Sequence, residues 1–198
     1  TPWVLLLQPV PPPVPSPQRR LVAGPIPGYL GLNLLELRDV DLSYNALTGK
    51  LPTFGVRFIN FLKCLKLHDN HIKGSFHVLW GNLTELTTLA LHNNKIGGPI
   101  PEAMTNLKKL EEFTMHNNRL NGALPESFGK IMPGLRTLIL SRNRLTGPIP
   151  VEALASCHGL VTLNIDGNHF EFDGDFGSKD QVIDYIKGRL HKTAMVCI

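Results

Sequence analysis

Leu86-Thr-Thr-Leu89-Ala-Leu91-His-Asn-Asn94-Lys-Ile96-Gly-Gly98-Pro-Ile100-Pro101 is the stretch on which the fold turns. Leu89 and Leu91 flank one intervening residue, the period-two alternation of a short strand with Leu inward and Ala90 outward. A turn follows the strand and exposes backbone groups to a dry interior. An inward Asn94 amide can both donate to and accept from those groups, which are costly to leave unpaired. Gly98 permits backbone geometry that side chains forbid, and Pro101 fixes an extended conformation where no ladder donor is wanted.

Working outward, the same unit recurs. Asn45, Asn70, Asn94, Asn118, Asn143 and Asn168 are separated by 25, 24, 24, 25 and 25 residues, the period of a solenoid. Each follows an apolar triplet: Leu37/Val40/Leu42, Leu62/Leu65/Leu67, Leu86/Leu89/Leu91, Leu110/Phe113/Met115, Leu135/Leu138/Leu140 and Leu160/Leu163/Ile165. Leu47 to Pro52, Leu120 to Pro125 and Leu145 to Pro150 repeat the Gly and Pro of the quoted stretch, whereas the second unit keeps Gly74 but carries His77 in place of Pro. Stacked coils of this kind form one parallel sheet, with the six asparagines as a buried ladder.

These segments resemble the plant-specific subclass of leucine-rich repeats, whose pattern runs LxxLxLxxNxLxGxIP. The resemblance covers positions 37–172, with a half-repeat at Val22-Ala-Gly24-Pro-Ile26-Pro27. It is similar in pattern to receptor-like ectodomains, polygalacturonase-inhibiting proteins and algal or protist repeat proteins, which share a scaffold but not ligands. It implies an α/β repeat fold: a right-handed solenoid with a parallel concave sheet, six full coils, an N-terminal half-repeat and a C-terminal capping helix. Extracellular members of the plant family usually carry a paired-cysteine N-terminal cap, and nothing before Cys64 supplies one. Phe172 in the Gly position marks the sixth unit as terminal.

The expected organisation is a proline-rich extended arm over 1–18, a half-repeat or cap over 19–36, six repeats over 37–172 and a C-terminal cap over 173–198. The arm holds seven prolines, which excludes helix and a central strand and favours polyproline II or irregular extension. Trp3, Leu5, Leu6 and Leu7 are its expected contact residues, resting on the first coil or on another protein. Ser178-Lys-Asp-Gln181 reads as a capping box opening a helix over about 179–191, with Val182, Ile183, Ile186 and Leu190 on one face. The acidic loop from Asp173 to Asp180 lacks the spacing and closing Glu of a calcium loop and reads as a turn.

The bulk numbers narrow the function. A net charge of +4 is too small to imply nucleic acid, and there is neither a basic run nor an aromatic stacking platform, though it favours acidic partners, an acidic glycan among them. No apolar run approaches the length of a membrane span. Cys64, Cys157 and Cys197 lack metal-binding spacing, and Cys157 fits a small core position better than a bridge to Cys197. No initiator Met precedes Thr1, and Asn82-Leu-Thr84 matches a glycosylation acceptor; secretory and organellar (chloroplast) locations both remain open. No nucleophile elbow, phosphate loop, metalloprotease motif or facing carboxylate pair stands out, so the chain reads as a non-enzyme without cofactors.

Recognition is then expected on the sheet. Ser43, His68, His92, His116, Ser141 and Asp166 occupy the outward position after each triplet, so three imidazoles should form a column at strand spacing, about 4.8 Å. Rings so close could share a metal ion or depress one another's protonation, but a column copied by repeat duplication needs no ligand, and no metal is expected. Ala46, His71, Lys95, Arg119, Arg144 and His169 follow the ladder asparagines as a basic edge. The expected binding residues are Lys66, His68, Asp69, His71, His92, Asn93, Lys95, His116, Asn117, Arg119, Arg142 and Arg144, presented to another protein or a glycan. The alternative is an accessory or scaffolding subunit of a larger, organellar or membrane-associated complex, anchored by the arm.

Overall fold

A computed structural model describes residues 4–6, 21–27, 37–52, 61–128, 132–172, 177–190 and 194–198. Its principal element is an eight-stranded all-parallel sheet. In order across the sheet its strands are Val4–Leu6, Asp39–Asp41, Cys64–Lys66, Thr88–Ala90, Glu112–Thr114, Thr137–Ile139, Thr162–Asn164 and Met195–Cys197. Equivalent residues of successive coils pair directly: Val40 with Leu65, Leu65 with Leu89, Leu89 with Phe113, Phe113 with Leu138, and Leu138 with Leu163. All six apolar triplets are buried, so the alternation read from the sequence is the inward face of this sheet.

A second, five-stranded parallel sheet follows the turn, built from Lys73–Gly74, Lys95–Gly98, Arg119–Gly122, Arg144–Pro148 and His169–Glu171. Its register differs. Arg119 pairs with Gly97 and Arg144 with Asn121, so equivalent residues are stepped by two positions per coil. The half-repeat joins in the same manner, Ala23–Pro25 pairing with Ala46–Thr48.

The asparagines connect the two sheets. Asn118 Nδ2 donates to the carbonyls of Leu91 (3.0 Å) and Met115 (3.1 Å), and its Oδ1 accepts from Ile96 N at 2.9 Å. Asn70, Asn94, Asn143 and Asn168 repeat this set, each spanning its own coil and the one before. Asn70, Asn118 and Asn143 are buried, while Asn45, Asn94 and Asn168 are half-buried, so only the first three match the fully buried ladder expected. Just before each ladder Asn the backbone enters the left-handed region, at Tyr44, Asp69, Asn93, Asn117 and Arg142 with φ between 52° and 56°, and at Gly167 with φ 67°. That turn swings the chain off the concave sheet and aims the next side chain inward.

The outer side is made of short 3-10 turns, Val78–Asn82 and Glu102–Asn106, and a helix at Val151–Ala155. Trp80, Met104, Phe128 and Leu154 fill it from successive coils. Gly81 lies so close to the next coil that a Cβ would stand 2.2 Å from Ala103 O, which explains a glycine outside the turn pattern. Cys157 is fully buried and unpaired, the equivalent of Leu83, Leu107 and Met132 in earlier coils, and burial raises its thiol pKa to about 11.

Both ends depart from the sequence reading. Val4–Leu6 is not irregular: it pairs with Asp39–Asp41 as the first strand of the main sheet. It lies in the short proline-free part of the arm and at a sheet edge, where a proline-flanked strand is tolerated. Trp3 and Leu7 lie outside the described residues. At the other end the helix spans Lys179–Lys187 and stops short of the expected 191, with Gly188 as its C-cap. Ser178 Oγ accepts from Gln181 N, the bond foreseen for the capping box, and Val182, Ile186 and Leu190 are buried over the last coil. Met195–Cys197 then pairs with Thr162–Asn164 and buries Val196 and Ile198. The C-terminal cap is therefore a helix plus a strand. Three residues give too short an alternation to recognise in sequence. The acidic loop at 173–176 lies outside the described residues.

Candidate binding surface

Because the main sheet pairs equivalent residues, side chains at one repeat position stand in straight columns across the coils. The column after the third Leu begins at Ser43, which is buried and donates from Oγ to Asp41 Oδ1 at 2.6 Å. It continues as three imidazoles: His68 on His92 and His92 on His116, each with centroids 4.3 Å apart and planes within 11° of parallel. Tyr44 closes the stack edge-on to His68, with ring centroids 4.9 Å apart.

Each ring has a distinct setting. His68 Nδ1 lies 2.8 Å from Asp69 Oδ2. His92 Nδ1 lies 3.1 Å from Thr114 Oγ1, and His92 Nε2 lies 3.8 Å from Asp69 Oδ2. Burial, and then the facing His68 and His116, push the pKa of His92 down to about 4 despite the opposing carboxylate of Asp69. Burial also lowers His116, with Arg142 and His68 acting in the same sense against Asp69. The stack is thus held neutral at His92 at ordinary pH, a state in which stacked rings do not repel. His116 Nδ1 is buried with no hydrogen-bond partner.

Beside the imidazoles runs a second polar column. Asn93 Nδ2 donates to Asp69 Oδ1 at 2.8 Å, and Asn117 Nδ2 donates to Asn93 Oδ1 at 2.7 Å. These three are among the left-handed turn residues, a conformation Asn and Asp tolerate better than other side chains. Sequence reading named Asp69, Asn93 and Asn117 but not their chain of bonds, and it missed Thr114 and Tyr44 altogether. In-register pairing would have found Thr114, which sits two residues before His116 and so diagonal to His92.

Of the remaining expected residues, Lys66 is half-buried in the main sheet and Arg142 is exposed at its turn. His71, Lys95, Arg119 and Arg144 are exposed, Lys95, Arg119 and Arg144 opening strands of the second sheet. The two-residue step spreads this edge into a staircase, with neighbours about 8 Å apart from strand spacing and rise. The structure therefore brings His68, Asp69, His92, Asn93, His116 and Asn117 into one bonded and stacked group and leaves the basic residues as separate charges. Cys64 also faces this sheet, its thiol pKa raised by burial and by Asp39, Asp41 and Glu112 against Lys66. Among the described residues no helix is long and apolar enough to cross a membrane.

Family models described as leucine rich repeat match residues 114–170 and 85–107. The chain is 50% identical over 148 residues to the serine/threonine-protein kinase BRI1-like 1 of Arabidopsis thaliana, a match covering 72% of this chain but 13% of that protein. It superposes on the plant peptide hormone receptor RGFR1 in complex with RGF2 with a TM-score of 0.71 and 30% identity, over 76% of this chain and 23% of the receptor. A plant ice-binding protein gives a TM-score of 0.69 and 31% identity, over 78% of this chain and 49% of that one. The chain spans a small part of the length of the receptor kinase it matches. With the repeat pattern, the parallel coils and these likenesses together, the chain belongs to the plant-type leucine-rich-repeat proteins.

Proposed function

We propose that the chain is a non-catalytic recognition module that receives a peptide or protein segment across its main sheet, with the basic staircase of Lys95, Arg119 and Arg144 attracting the partner. The observation that carries this reading is the continuous half-buried polar face formed by His68, Asp69, His92, Asn93, His116 and Asn117. Its groups are fixed by stacking and hydrogen bonds, so little side-chain entropy is lost when a partner settles on them. Likeness to a receptor solved with a peptide hormone supports the same use of the scaffold. Likeness to an ice-binding protein cautions that scaffold alone does not choose the ligand, but ice recognition calls for a chemically uniform array and these columns are mixed. Pairing of Val4–Leu6 with the chain's own sheet weighs against an arm anchored elsewhere.

Two variants in a native pull-down test the reading. Proteins recovered with the wild-type chain should be lost with His92→Glu/Asn117→Arg on the sheet. They should be weakened with Lys95→Glu/Arg119→Glu/Arg144→Glu, most at low salt, and the salt-induced loss of binding seen with the wild type should disappear. Unchanged recovery with both variants would overturn it.

A further inference from the structure

We propose that His68, Asp69 and His92 form a site for one divalent transition-metal ion of the zinc and copper kind, with a coordination position left open on the solvent side. His68 Nδ1, Asp69 Oδ2 and a ring nitrogen of His92 lie within 4.8 Å of one another. Asp69 Oδ2 stands 2.8 Å from His68 Nδ1 and 3.8 Å from His92 Nε2. Zinc bonds to imidazole nitrogen and carboxylate oxygen of about 2.0–2.2 Å place adjacent ligand atoms roughly 3.0–3.5 Å apart. The two observed spacings fall on either side of that range.

The surroundings have the form of an outer shell that orients ligands. His92 directs Nδ1 to Thr114 Oγ1 at 3.1 Å; with Nδ1–H donated there, Nε2 is the nitrogen with a free lone pair, on the side of Asp69. The other carboxylate oxygen of Asp69 accepts from Asn93 Nδ2 at 2.8 Å, and Asn93 is held in turn by Asn117 Nδ2 at 2.7 Å. Metal-binding histidines and carboxylates ordinarily have such partners on their second atoms, and a column of polar residues merely exposed on a sheet has no need of them. The left-handed backbone at Asp69, φ 55°, sets the direction from which its carboxylate reaches both rings.

One rearrangement is required. Stacking at 4.3 Å with planes 10° apart keeps the ring planes of His68 and His92 nearly parallel, so their lone pairs do not converge. Turning the His92 ring toward Asp69 brings Nε2 round and opens its stack on His116. All three ligands are half-buried, which leaves room for that rotation and for a water or a partner's side chain as a further ligand. Two imidazoles and one carboxylate suit zinc or copper(II); calcium and magnesium require more oxygen donors than this site holds.

Calorimetric titration of the tag-free full chain with Zn2+ tests the site, with Ca2+ and Mg2+ as parallel titrants. One equivalent of Zn2+ should bind saturably in the micromolar range, and neither Ca2+ nor Mg2+ should show saturable binding. Asp69→Asn, which keeps a side chain suited to the left-handed turn, and His92→Ala should each weaken Zn2+ by tenfold or more, about the effect of losing a ligand or its support. Thr114→Val should weaken it by about tenfold through the lost orientation of His92. His71→Ala should leave it unchanged, with circular dichroism confirming that each variant is folded. Absence of saturable Zn2+ binding, equal affinity in the folded Asp69→Asn and His92→Ala variants, or Ca2+ binding as tight as Zn2+ would each overturn the proposal.

Discussion

The two parallel sheets of this solenoid are built from the same coils yet align them differently. In the eight-stranded sheet equivalent residues face one another, while in the five-stranded sheet they are stepped by two positions. Register therefore decides how a repeated residue type behaves. Three histidines in direct register stack at 4.3 Å, and the two outer rings help to lower the pKa of His92 between them. Arginines and lysines repeated just as regularly, but stepped, stand about a Debye length apart at physiological salt and act one at a time.

The ladder asparagines reconcile the two registers, so removing one should give the largest effect. Asn118→Ala leaves Ile96 N without its acceptor and takes one of two amide donors from Leu91 O and from Met115 O, which keep only Asn94 Nδ2 and Asn143 Nδ2. A loss of about 3 kcal/mol or more in urea unfolding is expected. The half-buried Asn45 should cost about 1 kcal/mol when replaced. Equal losses at the two positions would mean that the ladder does not carry the difference between the sheets.

Next in size is the pH dependence of the stack. His92 is held at about 4 in the folded chain against an ordinary 6.5, so between those values the unfolded chain binds a proton that the folded chain refuses. Its contribution to stability is complete above pH 6.5, declines as pH falls toward 4 and levels off below that. After allowance for solvent screening of this half-buried ring the total should be about 2 kcal/mol, read as a fall in melting temperature that His92→Gln flattens. A slope that survives this substitution would place the proton uptake elsewhere.

A smaller gain should come from the turn that separates the sheets. Arg142 carries a φ of 56°, which a residue with a Cβ adopts only under strain. Arg142→Gly should raise stability by about 0.5 kcal/mol, the relief of strain exceeding the added freedom of the unfolded chain. The smallest effect is expected on the staircase: Arg119→Glu and Arg144→Glu should each change stability by less than about 0.5 kcal/mol and combine additively. A coupling between them above that size would show that the step does not separate the charges.

How legible this was follows from the same contrast. The triplets, the ladder and the histidine column could be read because they depend on period alone, and the concave sheet preserves period as geometry. The staircase read as a straight edge, since nothing in Lys95, Arg119 or Arg144 reveals a two-residue step in pairing. The bonds from Asp69 to Asn93 and Asn117 depend on a left-handed turn that Tyr44 and Arg142 also adopt, so residue type did not announce it. The two end strands escaped notice because Val4–Leu6 sits among prolines and Met195–Cys197 is three residues long.

The ladder also has a bearing on how the molecule comes apart. Because each asparagine from Asn70 onward bonds to its own coil and to the one before, a coil's order is worth more when its neighbour is already ordered. That is the condition for a zipper: melting should begin at the half-buried ends, at Asn45 and Asn168, and advance coil by coil toward Asn118. Amide exchange should be slowest in the middle coils, and any segment added in matching register at either end would slow the fraying of every coil within.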